Sequence, residues 1–127
     1  MNNQPDATEL LAIARSTLLD KLLPRLPDDL RYDALMIANA MMIAAREHAA
    51  GDEPAKAEFG RACALLAEHP PEAAGAALQI ALVDCNRRLA AGIRAGRYDK
   101  DSAALLAHLD QTAAHALAIS NPRALGT

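Results

Sequence analysis

Two adjacent carboxylates, Asp28 and Asp29, two cysteines, Cys63 and Cys85, and four histidines, His48, His69, His108 and His115, are the side chains here with reactive chemistry to offer. Their spacing organises little of it. Asp28-Asp29 falls where a helix begins, so the pair reads as a helix cap before it reads as an acid/base couple. Cys63 and Cys85 lie in separate helical segments and form neither a CxxC nor a zinc spacing, so each reads as a small buried hydrophobe. His108 and His115 are two helical turns apart, about 10 Å along the axis, which is too far for one ion; they read as boundary histidines on the flank of the last helix. The glycines are scattered and build no phosphate loop, and no HExxH, GxSxG or DxDxDG occurs. No Ser or Thr has a His beside it, although the partners of a triad need not be neighbours in the chain. The expectation is a protein with no catalytic residues, no cofactor and no metal.

The more telling residues are polar ones inside apolar stripes. Asn39 and Arg46, seven apart, share a helix face with Leu35, Met42 and Ile43. Asn86 falls among Leu82, Leu89 and Ile93. A buried amide left unpaired costs about 1–3 kcal/mol, so each Asn is expected to find a partner on a neighbouring helix. Two roles stand open: a polar lock that fixes helix register, or a polar surface that reads a partner. Arg87, Arg88, Arg94, Arg97 and Lys100 form the densest basic stretch, with Arg87 and Arg94 on one face. It reads as a solvated helix face or as a patch for an anion or an acidic partner.

The elements that position these residues are helices. The apolar fraction of the 127 residues is 52%, dominated by Ala, the strongest helix former. Aromatics are Tyr32, Phe59 and Tyr98 alone, so strand formers are scarce. Five helices are predicted. The first runs over about 7–23, with an Asp6/Glu9 capping box, a Leu11, Ala14, Leu18, Leu22 stripe and a stop at Pro24. The second runs over about 30–50, capped by Asp28 or Asp29; its middle is apolar nearly all round, which predicts a central, buried helix. The third runs over about 53–69, capped by Asp52, with a narrow Phe59, Cys63, Leu66 stripe that predicts a peripheral place. The fourth, about 72–95, carries Leu78, Leu82, Cys85, Leu89 and Ile93 and ends at Gly96. The fifth, about 102–120, is capped by Asp101, turns Leu105, Leu109, Ala113, Ala116 and Leu117 inward, and stops at Asn121-Pro122. Together they predict an all-α fold: one Ala-rich bundle over 1–127, mostly antiparallel, with flexible ends at 1–5 and 123–127. A net charge of −3 and a pI near 5.7 argue against nucleic-acid binding. The longest apolar run, 34–45, is too short for a bilayer and holds Asn39. With no basic-then-apolar leader at the N-terminus, a cytoplasmic protein is expected.

The ordered segments LPDDLRYDALMIANAMMIAARE, DCNRRLAAGIRAGRYD and LAISNPRAL resemble a bacterial family of short helical proteins. The residues that carry the resemblance are Arg31, Asn39, Arg46, Glu47, Asn86, Arg87, Leu89, Ile93, Arg94, Gly96, Asn121, Pro122 and Arg123. It covers nearly the whole chain; each motif is weak alone, and their order and spacing are moderately specific. The resemblance implies a partner role beside kinases of the aminoglycoside-phosphotransferase fold and acyl-CoA dehydrogenases. The chain is similar to the small companion of a kinase that phosphorylates 4-hydroxyacyl-CoA in levulinate-type catabolism. The resemblance thus implies an accessory subunit of such a kinase, which would supply the nucleotide and Mg²⁺. Arg31, Asn39, Arg46, Glu47, Asn86, Arg87, Arg94, Asn121 and Arg123 are then the candidates for partner-binding or buried polar roles, with Arg46, Arg87 and Arg94 as the foremost anchors. The alternative is a self-associating structural bundle, a homodimer without a dedicated enzyme partner. A third reading, a small-molecule enzyme, requires a deep cleft lined by Asn39, Arg46 and Asn86.

Overall fold

Alanine-rich sequence, with Pro kept to segment ends and only Gly60 and Gly92 inside helices, yields helices. The computed structural model describes residues 4–126, and no strand occurs among them. Five α-helices are present: α1 (Ala7–Thr17), α2 (Asp28–Ala50), α3 (Glu53–Leu65), α4 (Gly75–Arg94) and α5 (Ala103–Ser120). Contacts divide the chain into two compact units, 1–51 and 52–127, where the sequence predicts one domain over 1–127. At the ends expected to be flexible, residues 1–3 and 127 lie outside the described residues, and Pro122–Leu125 form a short 3-10 turn.

In the first unit, α1 starts at the predicted capping box. The Glu9 backbone N–H donates to Asp6 Oδ1 at 2.9 Å, and the Asp6 N–H donates to Glu9 Oε2 at 2.9 Å. The helix passes into a π turn, Leu18–Leu22, and a 3-10 turn, Leu23–Arg25. Pro24 has no N–H to give the carbonyl one turn back, which is where the regular ladder fails. α2 begins at Asp28, earlier than predicted. Its N-cap is Pro27, and neither Asp28 nor Asp29 caps it; both lie in the first turn, where their charge favours the helix dipole. α2 packs on α1 and the turn that follows it. Among the described residues of this unit, only Ala34 and Ala38 are buried. The expectation of a central, all-round buried α2 is therefore wrong. The seam needs one narrow face, formed by Leu11 and Arg15 of α1 and Leu18 of the π turn, with Ala14 and Leu22 exposed.

The second unit holds the core. Phe59, Ala62 and Cys63 of α3 meet Leu78, Leu82, Cys85 and Leu89 of α4, and Leu105 and His108 of α5 are also buried. α3, expected at the periphery, packs on both α4 and α5. Its small residues permit two close neighbours; Ala62 has no exposed surface at all. α3 ends four residues earlier than predicted. Ala67 takes a left-handed φ of 58°, its N–H donates to the Ala64 carbonyl at 3.1 Å, and the Glu68 N–H donates to the Cys63 carbonyl at 2.8 Å. This is the paired 5→2 and 6→1 closure of a Schellman cap, on a residue that carries a Cβ. α4 closes in the same way at Gly96, with Gly96 N–H to Ile93 and Arg97 N–H to Gly92, both at 3.0 Å. Asp52 does not cap α3 through its side chain; its carboxylate accepts the Gly75 N–H at 2.9 Å at the start of α4. Residues 72–74 stay outside the helix. α5 takes Ser102, not Asp101, as its N-cap residue, without a side-chain bond.

Candidate functional site

Asn39 and Asn86 are both exposed, which overturns their expected burial. The reason is register. The α2 seam runs through Ala34, Ala38, Met41 and Ala45, and the α4 core face through Leu78, Leu82, Cys85, Leu89 and Gly92. Each Asn sits one residue past a buried position, about 100° round the helix, and so falls off the covered arc. Ile93 is exposed for the same reason.

On α2 this shift has a consequence. Tyr32, Leu35, Met36, Asn39, Ile43 and Arg46 recur at threes and fours along a second face, away from α1. Tyr32 is 69% exposed, Leu35 46% and Met36 45%, while Ile43 and Arg46 are half-buried. An amphipathic helix normally has one apolar stripe; α2 has two, and α1 covers only one. The exposed part of this stripe, Tyr32 to Asn39, carries a single amide, Asn39, and a guanidinium, Arg46, stands at its half-buried end. Glu47 is exposed next to Arg46. Arg31 has a local role: its Nη1 donates to the Leu23 carbonyl at 3.5 Å across the turn between α1 and α2.

The basic stretch of the second unit divides by register. Arg87 and Arg94 share a face of α4 opposite the core and are exposed, as are Asn121 and Arg123 at the C-terminal turn. Arg88 is engaged by Glu68, in a two-pronged ion pair, and by Asp84 at 3.6 Å. Glu68 is held below its usual pKa, first by the hydrogen bond from Arg88, and Arg88 is raised by the same bond. Beside this pair, Leu66, Ala91, Gly92, Arg97 and Tyr98 help line a surface cavity of about 700 Å³. Asn39, Arg46 and Asn86 do not line it. Asn39 and Arg46 belong to the first unit and Asn86 to the second.

Sequence reasoning missed one polar cluster. His108, expected on a flank, is 3% exposed. The buried face of α5 runs through Leu105 and His108 with Thr112 half-buried, while Leu109, Ala113 and Ala116, expected inward, are exposed. Arg61 of α3 reaches both: Nε donates to His108 Nδ1 and Nη2 to Thr112 Oγ1, each at 3.4 Å. The i, i+3, i+7 spacing of Leu105, His108 and Thr112 was the available signal. Burial, and then the nearby Arg61 charge, hold His108 below its usual pKa, with Glu58 opposing. Cys63 and Cys85 are both buried, as expected, but they are also neighbours across α3 and α4.

Among the described residues, no group of three or more His, Cys, Asp or Glu is placed to hold a metal ion, and no helix is long and apolar enough to cross a membrane. The architecture defines an all-α protein whose apolar surface exceeds what its own helices cover. Residues 24–124 match the family described as a domain of unknown function, DUF6285, and the chain belongs to that family. No curated protein and no solved structure matches the chain.

Proposed function

We propose that this protein is a non-catalytic accessory subunit that docks, through the outer face of α2, on a phosphotransferase-type kinase acting on hydroxyacyl-CoA-type substrates. The observation that carries the docking role is the exposed stripe Tyr32, Leu35, Met36 and Asn39. Among its described residues the first unit buries only two alanines, far less than a stretch of this length needs to hold itself folded. Apolar residues in contiguous exposed rows mark surfaces that meet another protein. Asn39 would give such a contact its register, and Arg46, with Arg87 and Arg94 of the second unit, its charged anchors. The choice of a kinase rests on the resemblance of the ordered Arg and Asn motifs. The proposal puts both proteins in the cytoplasm.

Identifying the adjacent reading frames and co-expressing the chain with any phosphotransferase-type kinase encoded there, followed by affinity purification and a coupled kinase assay, tests the reading. A stoichiometric complex is expected, weakened roughly a hundredfold, or about 2.7 kcal/mol, by the double substitution Leu35→Asp, Met36→Asp. Failure of the kinase to bind or to change activity overturns it. Light scattering that instead gives a dimer, dispersed by the same double substitution, replaces the kinase with a second copy of the chain.

A further inference from the structure

Arg61 is half-buried and carries a permanent charge. Its two hydrogen bonds go to neutral acceptors, His108 Nδ1 and Thr112 Oγ1. Among the described residues no ion pair joins it to a carboxylate. Glu58, one turn earlier on α3, acts on His108 electrostatically but stands outside ion-pair distance of Arg61. A guanidinium has five N–H donors, so three remain for another acceptor. His108 accepts at Nδ1, which places the proton of its neutral ring on Nε2 and makes that nitrogen a donor. Both side chains line a groove of about 310 Å³ between α3 and α5, together with the Gln111 amide and the apolar Leu65, Ala104 and Ala107. That volume is at the small end of ligand sites. The groove therefore gathers donors and a positive charge, and no carboxylate is among its lining residues; Glu58, felt at His108, stands outside them.

We propose that the groove between α3 and α5 binds an oxyanion, a carboxylate or a phosphate group, through Arg61, His108 and Gln111. The guanidinium fork matches either head group with paired hydrogen bonds, and the alanine and leucine walls accept the short apolar portion of a molecule that carries it. The site does not depend on the docking role of α2, which lies in the other unit.

The test is NMR of the His108 ring in the full chain, titrated separately with sodium acetate and sodium phosphate at constant ionic strength made up with sodium chloride. A saturable shift is expected with at least one of the two anions and none with chloride. The tighter arm identifies the head group. Arg61→Gln is expected to weaken the binding at least roughly tenfold, the value of one charge-assisted hydrogen bond. Ala107→Leu keeps every donor and fills the exposed wall of the groove, and it is expected to abolish the shift. Circular dichroism checks both variants, and if Arg61→Gln does not fold, Ala107→Leu decides alone. No saturable shift with either anion, or an undiminished one in Ala107→Leu, overturns the proposal.

Discussion

The thiols of Cys85 and Cys63 are neighbours across the α3–α4 seam, both within the buried core. Burial first, and the neighbouring Cys63 second, push the Cys85 thiol up to about 11. The thiolate is the nucleophile, so at pH 8 only about one Cys85 in a thousand is reactive even when reached. We expect native protein to resist Ellman's reagent for hours at pH 8 and unfolded protein in urea to titrate both thiols at once. Stoichiometric labelling of folded protein within seconds contradicts this.

His108 makes stability depend on pH with a definite sign. Its folded value lies below the ordinary 6.5, so between the two values the unfolded chain binds more protons. Stability is then fully present above pH 6.5 and declines as pH falls through and below that value. Urea midpoints at pH 7.5 and 5.5 should show the decline, and His108→Gln should flatten it. An unchanged slope in the variant assigns the effect to other groups.

Ala67 occupies a position at which Gly96 serves the equivalent cap. An L-residue with a left-handed φ costs about 1 kcal/mol relative to glycine. Ala67→Gly should therefore raise the unfolding free energy by about that amount, read from the urea midpoint. Gly96→Ala should lower it by more, since the added Cβ would also meet Asp99 Oδ2 at 2.9 Å. Destabilisation by Ala67→Gly argues against the strained cap.

Two truncations separate core from surface. Leu78 is 1% exposed in the centre of the second unit, and Leu78→Ala should cost about 2–5 kcal/mol. Asn39→Ala should alter stability by no more than about 0.5 kcal/mol, as an exposed substitution does, while weakening partner capture. A stability loss of several kcal/mol for Asn39→Ala, measured in the isolated chain, restores the register lock and removes Asn39 from the docking face.

Much of the architecture was legible from local chemistry. The Asp6/Glu9 capping box, the stop at Asn121-Pro122 and the cap at Gly96 act between residues a few positions apart, so their partners are visible in the string itself. So was the main α4 stripe, Leu78 to Leu89, whose apolar residues are large and regularly spaced. The early end of α3 was not legible, because Ala67 looks like any helical alanine until its φ turns positive.

Sequence by itself determined that this chain is helical, and where most of its helices begin and end, because capping, propensity and chain reversal are local. It also placed Asn39 and Arg46 on one face of α2. Only the tertiary structure decided which faces are covered. Helical periodicity defines stripes without saying which neighbour arrives: α2 has two apolar faces and α1 takes one. α3 looks peripheral until α4 and α5 both pack on it, and His108 meets Arg61 from 47 residues away. Burial, the paired thiols and the unopposed guanidinium all come from contacts distant in sequence, which local spacing does not encode.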